Sequence, residues 1–137
     1  MKAVIDTNVV AYLLLGTEGF RGECERFWSE VEQPAAPASW EAELTNVLWM
    51  ATRKNIIDLP EALHRLDLAK GLGIRSVPVS TLWGGALARA HASGIAAYDA
   101  LFVELADREA LALATFDEPV IRAFPRIAMR PRRIRDK

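Results

Sequence analysis

Four carboxylates in this chain stand where a solvated acid is hard to account for, and together they point to one kind of chemistry. Asp6 ends the run Ala3-Val4-Ile5 and precedes Thr7-Asn8, while Asp117 follows Leu111-Ala112-Leu113-Ala114-Thr115-Phe116. Short apolar runs of this kind read as buried strands, so both acids fall at strand ends. In a parallel sheet the carboxyl ends of the strands share one edge, the crevice where open α/β sheets place their ligands. Asp is also a favoured N-cap, and capping explains Asp6 or Asp117 when each is read alone.

Glu43 and Asp99 are harder to place at a surface. At about 100° per residue, Glu43 projects into the arc that holds Leu44, Val47, Leu48, Met50 and Ala51, whereas Glu41 lies on its solvated flank. Asp99 projects between Val103 and Ala106 on the Phe102 face, opposite Glu104, Asp107 and Arg108, although its first-turn position leaves capping open. Ionised carboxylates are rarely buried unless paired or bound to a cation, and no Lys or Arg takes a matching inward position. Four such acids in one pocket would repel one another, raising their pKa values or demanding a cation. Mg²⁺ or Mn²⁺ favours oxygen ligands and is commonly shared between a few carboxylates and substrate phosphates. Such a site lowers the pKa of water and neutralises phosphate charge, the requirements of phosphodiester hydrolysis.

The elements that must position these acids follow from period and punctuation. A strand ending at Ile5 leads to a short helix, broken by Gly16-Thr17-Glu18-Gly19, and a second helix runs from Phe20 to Gln33. Ala35-Ala36, between Pro34 and Pro37, forms a short strand, and Ser39 caps a helix over Trp40 to Arg53. Asp58 and Glu61 make a capping box for a helix ended by Gly71 and Gly73. A strand at Ile74 to Pro78 follows, then a helix capped by Ser80 and closed by Gly94, and another from Ala97 to Glu109. Leu111 to Ala114 is a strand, Pro119 to Phe124 a helical turn, and Ile127 to Met129 a last strand. Strands separated by helices predict a three-layer α/β/α sandwich with a small parallel sheet.

At 137 residues and 51% hydrophobic content, the chain fits a single domain, expected over residues 1–129, with a frayed basic tail over 130–137. A net charge of −1 supplies no global attraction to nucleic acid, so any such binding must be local. The lone Cys24 excludes an intramolecular disulfide framework and a cysteine-based zinc site, and favours a cytoplasmic setting. Neither a signal peptide nor a membrane span is expected.

Four segments in order carry a family resemblance: Val4-Ile5-Asp6-Thr7-Asn8-Val9, Glu43-Leu44-Thr45-Asn46-Val47-Leu48, Tyr98-Asp99-Ala100-Leu101 and Leu113-Ala114-Thr115-Phe116-Asp117. They resemble the PIN-domain ribonucleases, and in length and order the chain is similar to VapC-type toxins of toxin-antitoxin pairs. The resemblance spans roughly residues 3 to 129 and implies a Mg²⁺- or Mn²⁺-dependent endoribonuclease that leaves a 5′-phosphate and a 3′-hydroxyl. By matching position, Asp6, Glu43, Asp99 and Asp117 are the acidic metal-binding and catalytic set, supported by Asn8 and Thr115. A homodimer, an RNA substrate and a cognate antitoxin lying over the acidic pocket are implied as partners. Glu118-Pro119 departs from the pattern, which leaves a place for Glu118 in the metal shell open; on its own Glu118 reads as a helix cap before Pro119.

Other residues read as scaffold. His64 and His91 lack ligand-spaced neighbours. Trp28, Trp40, Trp49 and Trp83 lie in helical segments where packing outweighs base stacking. Asn8, two residues after Asp6, argues against a phosphatase with an Asp nucleophile and a second Asp two residues on. Two other functions fit the same residues: a PIN nuclease without an antitoxin, and an acidic-pocket module that binds without cleaving.

Overall fold

The computed structural model describes residues 1–135, so Asp136 and Lys137 of the expected tail lie outside them. The strands are β1 (Lys2–Ile5), β2 (Gln33–Pro37), β3 (Arg75–Val77), β4 (Leu113–Ala114) and β5 (Ala128–Met129). All pair in parallel in the order β3-β2-β1-β4-β5, with Val4 opposite Ala35 on one side and Leu113 on the other. The strand that leads to Asp6 is therefore central, and β4, which leads to Asp117, lies directly beside it. Parallel neighbours must be joined by crossovers, which the helices provide. Those helices are α1 (Thr7–Leu15), α2 (Arg21–Glu30), α3 (Trp40–Arg53), α4 (Leu59–Lys70), α5 (Trp83–Ser93), α6 (Ala97–Arg108) and α7 (Glu118–Ala123). The result is the expected α/β/α architecture.

The core runs through the sheet into α6, where Ala100, Phe102, Val103, Leu105 and Ala106 are buried beside Val4, Ile5, Leu113 and Ala114. Helix α6 packs against β1, β2 and β4, which brings its first turn, with Asp99, to the sheet edge. Helix α1 packs against α2, α3 and α4. Cys24 is part of the core, and burial pushes its thiol up to about 12, so it stays protonated and packs as a small apolar group. No helix among the described residues is long and apolar enough to cross a membrane.

Several expectations need correction. Ser80 does not cap α5; it sits in a 3₁₀ turn over Val79–Thr81, and α5 begins at Trp83 after Leu82. Ser39 stands at the cap position of α3 but makes no capping bond, because its own backbone is already helical at φ −58°, ψ −20°. The Asp58 cap is as expected, accepting from the Glu61 N–H at 2.9 Å. Trp49 and Trp83 are 52% and 64% exposed rather than packed. Arg130 to Ile134 are not frayed: Pro131 and Ile134 are buried, and Arg130 pairs with Glu23 at 2.7 Å.

Candidate active site

The site grows from the end of β1. Asp6 leaves the strand with extended backbone and is the N-cap of α1, its Oδ1 accepting from the Thr7 N–H at 2.7 Å. Its other oxygen, Oδ2, accepts from the Thr115 hydroxyl at 2.7 Å and from Asn8 Nδ2 at 3.4 Å. One oxygen of the Asp6 carboxylate thus serves the helix cap and the other takes the bonds from Thr115 and Asn8, so the expected capping by Asp6 is present.

Thr115 follows β4 and is fully buried. Its hydroxyl also accepts from the Asp117 N–H at 3.0 Å and lies 3.3 Å from Asn8 Nδ2. Asn8 closes the ring by accepting the Phe116 N–H on Oδ1 at 3.3 Å. The three polar side chains therefore lash the ends of β1 and β4 together, as their paired register requires. Asp117 occupies the N-cap position of α7, yet its carboxylate makes no capping bond. Its role is not explained by the helix it precedes. Glu118 is not the cap but an exposed residue in the first turn of α7, ahead of Pro119.

Glu43 enters from α3, half-buried, and accepts from the Thr7 hydroxyl at 3.4 Å. The Ser39 hydroxyl beside it is buried without a partner of hydrogen-bonding geometry, yet is near enough to favour the ionised Glu43. Asp99 enters from the first turn of α6, also half-buried, and leaves the cap position to Ala96. Neither Thr7 nor Ser39 is among the site residues expected from sequence, where Ser39 reads only as a helix cap; the signal for Thr7 is its place as the first helical residue after a strand-end acid.

The acids feel one another. Burial raises Asp6 to about 7, with Asp99 and Glu43 adding repulsion and the bonds from Thr115 and Thr7 opposing it. Glu43 is raised by burial and by Asp99, and Asp99 by burial and by Asp117. Among the described residues no Lys or Arg pairs with any of the four. Nor does any group of three or more His, Cys, Asp or Glu among them stand close enough together to hold a metal ion as they are placed. The arrangement is an open set of repelling oxygen donors with a partnerless hydroxyl at its margin. That donor chemistry suits a hard cation that keeps several waters, Mg²⁺ or Mn²⁺, better than one needing a closed protein cage. His64 and His91 are exposed and take no part.

The chain is similar to known proteins in sequence and in fold. The chain is 29% identical over 129 residues to Ribonuclease VapC3 of Pyrobaculum aerophilum, covering 91% of this chain and 96% of that one. Its fold is similar to the crystal structure of FitAcB from Neisseria gonorrhoeae, with a TM-score of 0.69, 20% identity and coverage of 98% and 100%. A toxin-antitoxin complex from Klebsiella pneumoniae matches with a TM-score of 0.65, 20% identity and coverage of 94% and 97%. The model of the PIN domain matches residues 3–127, nearly the whole of the fold described above, and the chain belongs to the PIN domain family.

Proposed function

We propose that this protein is a Mg²⁺- or Mn²⁺-dependent endoribonuclease, the toxin of a toxin-antitoxin pair, acting in the cytoplasm. The observation that carries the reading is the buried Asp6 carboxylate, raised to about 7 by burial and by the nearby Asp99 and Glu43, with no Lys or Arg among the described residues paired to any of the three. Asp6, Glu43, Asp99 and Asp117 are the residues that would hold the ion. When bound, the ion supplies a hard Lewis acid that neutralises phosphate charge and lowers the pKa of water. Thr115 and Asn8 fix the Asp6 carboxylate, Thr7 steadies Glu43, and the core under the sheet edge keeps these donors from collapsing onto one another. The similarity to a protein named as a ribonuclease supports RNA as substrate, and the fold's likeness to a chain of a toxin-antitoxin complex supports an antitoxin partner. A homodimer follows from the family resemblance.

The test is incubation of the purified protein with structured RNAs in Mg²⁺ or Mn²⁺, with and without chelator. Chelator-sensitive cutting that is lost in Asp6→Asn and Asp99→Asn is the expected result. Cutting that survives chelation, or that both variants retain, refutes the site. Expression should arrest growth and be relieved by the neighbouring reading frame; cleavage without that arrest would leave a nuclease that is no toxin.

A further inference from the structure

The segment after β5 reaches the strand end beside the acidic site through Arg130, which lies over Phe116. β5 ends at Met129, whose carbonyl accepts the Thr115 N–H at 3.0 Å, so the next residue, Arg130, leaves the sheet directly beside the strand end that leads to Asp117. Its guanidinium donates from Nη2 to Glu23 Oε1 at 2.7 Å and from Nε to Oε2 at 3.4 Å, and the Arg132 N–H donates to the same Oε2 at 3.1 Å. Glu23 on α2 is 12% exposed and Arg130 is 29% exposed, so the pair is partly shielded from water. The same guanidinium lies 5.1 Å from the ring centre of Phe116, the residue between Thr115 and Asp117. On its other sides Phe116 meets Phe20 at 5.0 Å and Tyr12 at 5.3 Å, both edge-on, and those two rings stack at 4.3 Å.

We propose that Arg130, held by Glu23 and seated over Phe116, is a positioning residue that fixes the Thr115-Phe116-Asp117 segment and thereby the placement of Asp117. The inference rests on the nuclease reading above for its effect on turnover, and on geometry alone for its effect on the segment. Glu23 fixes the guanidinium; the guanidinium and two aromatic rings box Phe116; the backbone N–H of Phe116 then meets Asn8 and that of Asp117 meets Thr115. Without Arg130 one wall of the box is gone, and the ring and the acid after it gain freedom. Turnover depends steeply on placement of this kind, whereas binding of the distant parts of a substrate does not.

Amide hydrogen exchange on the full chain reads the segment directly, without any reaction. In Arg130→Gln the amides of Phe116 and Asp117 should exchange about tenfold faster, while those of Val4 in β1 and of Asp6 just after it stay at wild-type rates. Arg130→Lys, which keeps a cation near both Glu23 and Phe116, should recover most of the protection. With RNA and Mn²⁺, Arg130→Gln should lower kcat about tenfold and leave KM within twofold, with a weaker Mn²⁺-induced rise in melting temperature. Should Arg130→Gln not fold, Glu23→Gln and Phe116→Leu make the same comparison. Wild-type exchange at Phe116 and Asp117 in the folded variants, or faster exchange spread evenly over the chain, overturns the proposal. A wild-type chain that cuts no RNA while Arg130→Gln still loosens these two amides would sink the nuclease reading and leave the positioning intact.

Discussion

The Thr115 hydroxyl donates a 2.7 Å hydrogen bond to Asp6 Oδ2 from 109 residues away, and it accepts the Asp117 N–H at 3.0 Å on its other side. One buried oxygen thus couples two strand-end acids. Thr115→Val keeps the β-branched shape and deletes that oxygen, leaving the Asp117 N–H without its acceptor and Asp6 Oδ2 with only the 3.4 Å bond from Asn8. Unpartnered buried groups cost roughly 1–3 kcal/mol each, more where one is charged. Urea unfolding should show Thr115→Val less stable by about 2 kcal/mol, with cleavage down tenfold or more, while Thr115→Ser stays near wild type in both. Equal behaviour of the Val and Ser variants would show the hydroxyl to be dispensable.

Asp6 makes the ion-free protein sensitive to pH in an unusual direction. Burial raises its carboxyl from 3.8 to about 7, so between these values the folded chain holds a proton that the unfolded chain has released. Stability is therefore greatest at the acidic end of this window and falls as pH rises through it, by up to about 4 kcal/mol at 1.36 kcal/mol per unit. In chelator, urea midpoints should drop from pH 5 to pH 8, and Asp6→Asn should flatten most of that slope. Mn²⁺ at pH 8 should restore stability to wild type but not to the variant. A wild-type midpoint at pH 8 equal to that at pH 5 in chelator contradicts the assignment.

Much of this site was legible because local rules and chemistry converge on the same residues. Asp6 ends a strand, and Glu43 and Asp99 face inward by helical period; all three are buried or half-buried as that period requires. What could not be read depended on distant chain. β2 carries Pro34 and Pro37, which usually mark an edge strand, yet it pairs on both sides; the prolines stand three residues apart, so their missing N–H groups fall on opposite sides of the strand. The segment after β5 reads as a solvated charge run until Glu23 is known to lie beside it. Ser80 looked like a cap because the preceding 3₁₀ turn carries the same polar signature as a helix start.

Gly85 should show a substitution effect that changes sign with its neighbour. It lies inside α5, where Ala is ordinarily better by about 1 kcal/mol. A Cβ there would come within 2.3 Å of the Glu104 carboxylate, which is held by Arg89 at 2.8 Å and Arg108 at 3.0 Å and cannot swing away freely. Gly85→Ala should therefore destabilise the wild type by about 1–3 kcal/mol, as overpacking typically does. In a Glu104→Ala background the same substitution should be neutral or stabilising. A double-mutant cycle by thermal unfolding reads the difference, and additive effects would mean that the carboxylate moves aside at little cost.

Glu118 and Asp117 are adjacent acids that the geometry separates. Asp117 is half-buried, makes no capping bond, and lies near enough to Asp99 to raise its pKa. Glu118 is exposed in the first turn of α7, where its negative charge favours the helix dipole by a few tenths of a kcal/mol. Removing each charge without changing shape distinguishes a site acid from a helix-end acid. Glu118→Gln should leave cleavage within about twofold of wild type and unfolding nearly unchanged. Asp117→Asn should lower cleavage by 10²-fold or more and weaken the response to Mn²⁺, while stability in chelator holds or rises because one source of repulsion on Asp99 is gone. If instead Glu118→Gln weakens the Mn²⁺ response as much as Asp117→Asn, Glu118 belongs to the acidic set and turns toward the ion when it binds.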